Sequence, residues 1–115
     1  MNQRPVSAIN GYHVHVYFDA PSRERAMALR EALAREFPNA ELGRNHELPV
    51  GPHPEWSYQV KFSPDLFARI VPWLALNRDG LTVLVHPNTG DDLADHRDFA
   101  FWMGSMPALD LDALG

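Results

Sequence analysis

Apolar and polar residues alternate along two stretches of this chain, residues 12–18 and 56–62, and such alternation predicts half-buried β-strands. In the first strand one face is apolar, whereas the other carries His13, His15 and Tyr17. An apolar stretch at 81–85 follows the turn formed by Asp79 and Gly80 and predicts another strand. A weaker strand signal covers residues 40–42, with residues 45–50 as its candidate continuation.

Two helices are predicted between these strands. Ser22 is the expected N-cap of a helix over residues 23–37, and Ser63 with Pro64 starts a second helix that Pro72 should kink or tighten. The apolar stripes that these helices should bury are Ala26, Leu29, Leu33 and Phe37 in the first, and Leu66, Phe67, Ile70, Trp73 and Leu74 in the second. A short helix is predicted within residues 91–100.

The resulting order, βαββαβ, predicts an α+β fold of the ferredoxin-like kind, with a four-stranded antiparallel sheet, two helices on one face and a C-terminal extension. We expect one domain over residues 1–115 with a core at about 11–104. In this topology the first strand is central and the face away from the helices is open. The open face should carry His13, His15, Tyr17, Thr82, Leu84 and His86. His86 is therefore expected to lie near His13 or His15.

Composition narrows the class of protein. The 115 residues carry a net charge of −5, which argues against binding to nucleic acid or anionic membranes. The sequence has no apolar run long enough to cross a bilayer and no apolar signal-peptide core in residues 1–10, so we expect a cytoplasmic protein. The absence of Cys excludes disulfides and thiolate metal sites.

Histidines are the candidate metal ligands. His13 and His15 are two apart on a strand and point the same way, which is how a sheet presents two ligands to one ion. Such a pair alone also occurs as half-exposed sheet histidines, but His86 on the neighbouring strand strengthens the metal interpretation. His53 lies between two prolines, whose stiffness suits a ligand or a general acid–base, although it reaches the cluster only if its loop folds over the sheet.

Two further histidines carry weaker signals. His96 lies among charges in Asp95-His96-Arg97-Asp98, a pattern that on its own favours a solvated helical face. His46 lies in a polar stretch and is interpreted as a surface loop residue without a functional role.

Several phrases together make the chain resemble the DOPA 4,5-dioxygenase family, from about Gly11 to Gly104. These phrases are residues 12–19, Gly51-Pro52-His53-Pro54, residues 71–74, and Val85-His86-Pro87-Asn88-Thr89-Gly90-Asp91 with Asp95-His96. The resemblance implies a ferredoxin-like extradiol dioxygenase that opens the ring of a catechol such as L-DOPA, with non-haem Fe(II) and O2. Zinc or another divalent metal is a possible occupant of the isolated protein's site.

The resemblance also implies roles for residues. The family's histidines fall on His15, His53, His86 and His96, with His13 in the strand motif too. Together with the shared sheet face, they lead us to expect metal ligands at His15, His86 and His53, with His13 as the substitute for His15. The expected catalytic residues are His53, His96 and His13. Many non-haem iron sites add a carboxylate to two histidines, so Glu55 and Asp91 are candidates to complete the shell, and a three-histidine site is the alternative.

The rival hypothesis is a non-catalytic dimer of ferredoxin-like domains that binds a small aromatic molecule or a structural metal ion. For either function we expect a homodimer, because a small domain with an uncovered sheet has apolar surface to bury.

Overall fold

The computed structural model describes residues 3–114, which form one sheet with helices on both of its faces. In chain order the elements are β1 (Gly11–Phe18), α1 (Arg23–Glu36), β2 (Glu41–His46), β3 (Trp56–Phe62), α2 (Phe67–Asn77), β4 (Thr82–Asn88), α3 (Asp92–Arg97) and β5 (Phe101–Met103). Short 3-10 turns occur at Val6–Ala8, Pro64–Leu66 and Leu111–Leu114. None of the helices within residues 3–114 is long and apolar enough to span a membrane.

The sheet confirms the predicted ferredoxin-like topology and adds one strand to it. Its order is β2-β3-β1-β4-β5, with β1 in the centre, antiparallel to both β3 and β4. The fifth strand was not predicted. It has three residues, too few for an alternating pattern to be visible, and it extends the sheet by pairing Trp102 with Leu84 of β4.

The core lies between the sheet and the two long helices, as the alternation predicts. Its fully buried members come from both layers: Val14, Val16, Tyr58, Val60, Val83 and Val85 from the strands, and Ala26, Leu33, Ile70 and Leu74 from the helices. The hydroxyl of Tyr58 donates a hydrogen bond of 2.8 Å to the carbonyl of Ala26, so the only polar atom of this buried side chain is satisfied.

The helix starts differ in detail from the prediction. Ser22 occupies the N-cap position, but its hydroxyl donates to the carboxylate of Asp19 at 2.7 Å instead of accepting from the first helical turn. Asp19 also accepts from the backbone N–H of Ser22 at 3.0 Å, so the pair closes the turn between β1 and α1. Pro72 is accommodated within α2, which continues to Asn77.

The sheet face away from α1 and α2 is covered, contrary to the sequence-based expectation of an open face. Tyr17 and Leu84 on this face are only 2% and 0% exposed. The cover consists of the loop at residues 50–54, α3, and the C-terminal segment, which is joined to that loop by a 2.9 Å hydrogen bond from the Asp110 N–H to the Pro52 carbonyl. A homodimer was expected because the sheet face was thought to be uncovered. Since that face is covered, this argument no longer supports the dimer, which stays a prediction.

The contribution of the core can be measured on α2 with two alanine substitutions. Ile70 is 0% exposed, so we expect Ile70→Ala to lower the free energy of unfolding by about 2–5 kcal/mol. Leu76 is 86% exposed on the same helix, and Leu76→Ala should change it by less than about 0.5 kcal/mol. Denaturant unfolding of both variants checks the prediction, which fails if the two losses are equal.

Candidate metal centre

One cavity on the covered face collects every histidine of the chain. Its volume is about 300 Å³, which is at the lower end of the range for small-molecule sites. All six histidines line it: His13, His15, His46, His53, His86 and His96. The other polar lining residues are Ser57, Gln59, Asn88 and Asp92. Six imidazoles around so small a space indicate metal or proton-transfer chemistry.

Three of these histidines could hold one metal ion. His13 and His86 are direct cross-strand partners, His15 lies two residues along β1, and one ring nitrogen from each lies within 4.8 Å of the others. The Nε2 atoms of His15 and His86 are 3.2 Å apart. Two imidazole nitrogens bound to the same ion at ~2.0–2.1 Å in tetrahedral geometry would be about 3.3 Å apart. The spacing therefore fits two ligands of a common cation.

The ring of His86 is oriented by the backbone. Its Nδ1–H donates a hydrogen bond of 2.9 Å to the carbonyl of Pro87, and this bond leaves the Nε2 lone pair directed toward His15. Metal-binding histidines commonly have such a partner behind the ring, which fixes the tautomer and the ring plane.

Burial keeps the central histidines neutral. Desolvation lowers the pKa of His86 to about 3, against the opposing effect of its hydrogen bond to Pro87, and lowers the pKa of His53 to about 4. Desolvation, followed by the nearby His53 and His86, lowers the pKa of His15 well below its usual value. Because a metal ligand must present a lone pair, imidazoles that resist protonation are suited to the role.

His53 reaches the cluster because its loop folds over the sheet. The side chain is 7% exposed, so it is not a solvent-facing turn residue. Its ring centroid lies 4.1 Å from that of His15, and its Nδ1 is 2.7 Å from the hydroxyl of Tyr17. A backbone bond of 3.0 Å from the His53 N–H to the Val50 carbonyl closes the loop.

His96 also faces the cavity, although its neighbours in sequence favoured a solvated position. Its ring centroid is 4.0 Å from that of His86, and its Nδ1–H donates to the carbonyl of Asp92 at 2.7 Å. The carboxylate of Asp95, 1% exposed, holds α3 in place by accepting from the N–H and the hydroxyl of Thr89 at 2.9 and 2.7 Å. The charged neighbours thus include one buried anchor, which a count of charges does not reveal.

His46 was missed by the sequence interpretation. It ends β2 opposite Ser57 and lines the cavity instead of lying in a surface loop. The signal that could have found it is its place at the end of a strand beside Ser57 and Gln59, the polar positions of β3 that face the histidines.

The two carboxylates considered as further metal ligands, Asp91 and Glu55, do not line the cavity. Asp91 caps α3 by accepting from the Ala94 N–H at 3.1 Å, and Glu55 lines a separate hollow beside Asp19. Within residues 3–114 the metal-capable group consists of His13, His15 and His86, so its third member is His13, where the sequence led us to expect His53.

The fold and the cavity define a small α+β protein with a buried histidine cluster on its sheet. A model of the Dopa 4,5-dioxygenase family matches residues 12–113, and the chain belongs to this family.

Similar proteins agree with this membership. The chain is 35% identical to DOPA 4,5-dioxygenase of Amanita muscaria, covering 91% of this chain and 50% of that one. It is 40% identical to a 21.2 kDa protein of Botryotinia fuckeliana, covering 91% of this chain and 64% of that one. A crystal structure from Nostoc punctiforme, described as a "putative dioxygenase", has 47% identity and a TM-score of 0.95 and aligns over 97% of this chain and 96% of its own. The chain thus spans about half to two thirds of the curated relatives.

Proposed function

We propose that the protein is an extradiol dioxygenase, which opens the ring of a catechol such as L-DOPA beside its two hydroxyls with non-haem Fe(II) and O2. The observation that carries this proposal is the group of three histidines, His13, His15 and His86, in the cavity of a chain from the Dopa 4,5-dioxygenase family. Three neutral imidazoles could hold Fe(II), and three protein ligands would leave coordination positions for catechol oxygens and O2.

The chemistry divides between the metal and the protein. Bound Fe(II) would bring catechol and O2 together and supply the redox chemistry that ring opening needs. The chain itself would hold the ion through His13, His15 and His86 and enclose the reacting groups. The loop at 50–54 and α3 form walls of the cavity, so they would limit the access of water.

His53 and His96 are the proposed proton carriers. The Nδ1 of His53 is engaged by the Tyr17 hydroxyl and the Nδ1 of His96 by the Asp92 carbonyl, and each ring lines the cavity. For His96, an Nδ1–H that donates to a carbonyl leaves Nε2 as the acceptor, which can take a proton from a catechol hydroxyl. For His53, the Tyr17 hydroxyl can either donate or accept, so it can support the ring in both neutral tautomers.

The Tyr17 contact gives a testable expectation. Tyr17→Phe removes the partner of His53 Nδ1, so we expect turnover to fall about tenfold while metal content is unchanged. The matched control is Tyr58→Phe, which also loses a buried hydroxyl bond but on the helix side of the sheet. Both variants should lose about 1–2 kcal/mol of stability, and only Tyr17→Phe should lose turnover. Equal turnover in the two variants would contradict the role given to Tyr17.

A ring-opening assay tests the proposed function. Protein loaded anaerobically with Fe(II) is mixed with L-DOPA, 4-methylcatechol or catechol in aerated buffer, and O2 uptake is recorded together with the visible absorbance of a ring-opened semialdehyde. We expect one O2 consumed per catechol opened. Catechol binding without O2 uptake would instead support the non-catalytic alternative.

A further inference from the structure

The charge around the cavity is uneven. Among its lining residues Asp92 is the one carboxylate, and neither Lys nor Arg contributes. Asp92 is the first residue of α3 and is exposed, so its carboxylate lies on the solvent side of a cavity whose floor is buried histidine. Within residues 3–114 this carboxylate has neither a hydrogen bond nor an ion pair.

Other charges near the cavity are already engaged or lie outside it. Asp95 is buried and accepts two hydrogen bonds from Thr89. Lys61 lies opposite His13 on β3, but it is exposed and does not line the cavity. Its cross-strand neighbour on β2 is Glu41.

Asp92 belongs to the wall of the cavity that a bound molecule would contact, on the same wall as His96.

We propose that Asp92 makes the site selective for catechols whose side chain ends in a cation, such as a primary ammonium, over catechols whose side chain ends in a carboxylate. This inference rests on the proposed function, because a catechol with its two oxygens toward the histidine cluster would extend its own side chain toward the solvent side, where Asp92 lies. The carboxylate of Asp92 attracts a cationic side chain of the catechol and repels an anionic one. Because both effects act on the ratio of affinities, we expect about tenfold discrimination at low ionic strength.

Three catechols that differ in the charge of their side chain test this selectivity. Dopamine, 3,4-dihydroxyphenylacetate and 4-methylcatechol are titrated by calorimetry, without O2, into protein loaded with Zn(II), which binds without redox turnover. We expect dopamine to bind about tenfold tighter than the acid, with 4-methylcatechol between them. Asp92→Asn should remove most of the difference while leaving 4-methylcatechol unchanged.

Lys61→Met is the matched control, since it removes the opposite charge from outside the cavity and should preserve the order of affinities. The proposal is overturned if the acid binds as tightly as dopamine, or if Asp92→Asn leaves their ratio unchanged. A preference for the acid that Lys61→Met abolishes would assign the selectivity to Lys61. If 4-methylcatechol also fails to bind, the proposed function itself fails, and that result is distinct from equal binding of all three.

Discussion

His86→Ala should abolish stoichiometric binding of Fe(II) and of Zn(II). The Nε2 of His86 lies 3.2 Å from that of His15, and its Nδ1–H is held by the Pro87 carbonyl, so the substitution removes a ligand that is already oriented. The two histidines left in the group would bind the ion much more weakly. Metal analysis of protein purified without a His-tag, followed by equilibrium dialysis, measures the effect.

His46→Ala is the matched control for that experiment. His46 lines the same cavity from the end of β2, but it does not belong to the group formed by His13, His15 and His86. It should therefore keep one metal ion per chain. Full metal affinity in His86→Ala, or equal losses in the two variants, would contradict the proposed centre.

His53→Ala should lower kcat by about 10²–10⁴-fold and leave metal content intact, because a positioned proton carrier contributes about that much. The expectation follows from geometry: the His53 ring packs beside His15 while its Nδ1 is engaged by Tyr17, and it is not among the three rings whose nitrogens converge. Turnover and metal content are measured on the same preparation.

The same variant separates the two assignments of His53. Loss of the metal in His53→Ala would make His53 a ligand, as expected from the sequence, and would return His13 to a supporting role. His96→Ala provides a comparison, since the His96 ring also lines the cavity outside the group of three. We expect His96→Ala to have a lower turnover and to retain its metal.

The fold could be predicted because its information is local. Alternation at 12–18 and 56–62 marks strands whose apolar faces are buried in the structure, and the pairing of β1 with β4 follows from a βαββαβ order. That topology also brings His86 beside His13 across β1 and β4, although 73 positions separate them in sequence.

The walls of the site could not be predicted, because they depend on segments without a periodic pattern. A backbone hydrogen bond from the Asp110 N–H to the Pro52 carbonyl joins the C-terminal segment to the loop that carries His53. α3 is placed by the buried contact of Asp95 with Thr89, and β5 by only three residues paired with β4. Such contacts are specific to the tertiary structure and leave no signature in hydrophobic spacing.

The fate of O2 in ring opening tests the proposed catechol cleavage most directly. Fe(II)-loaded protein is given 4-methylcatechol under ¹⁸O₂, the aldehyde product is reduced at once to prevent exchange with water, and the product is analysed by mass spectrometry. We expect a ring-opened product that carries both atoms of one O2 molecule, and we expect His86→Ala to form none. An intact ring, or a product without oxygen from O2, would contradict the assignment of this histidine cavity to catechol cleavage.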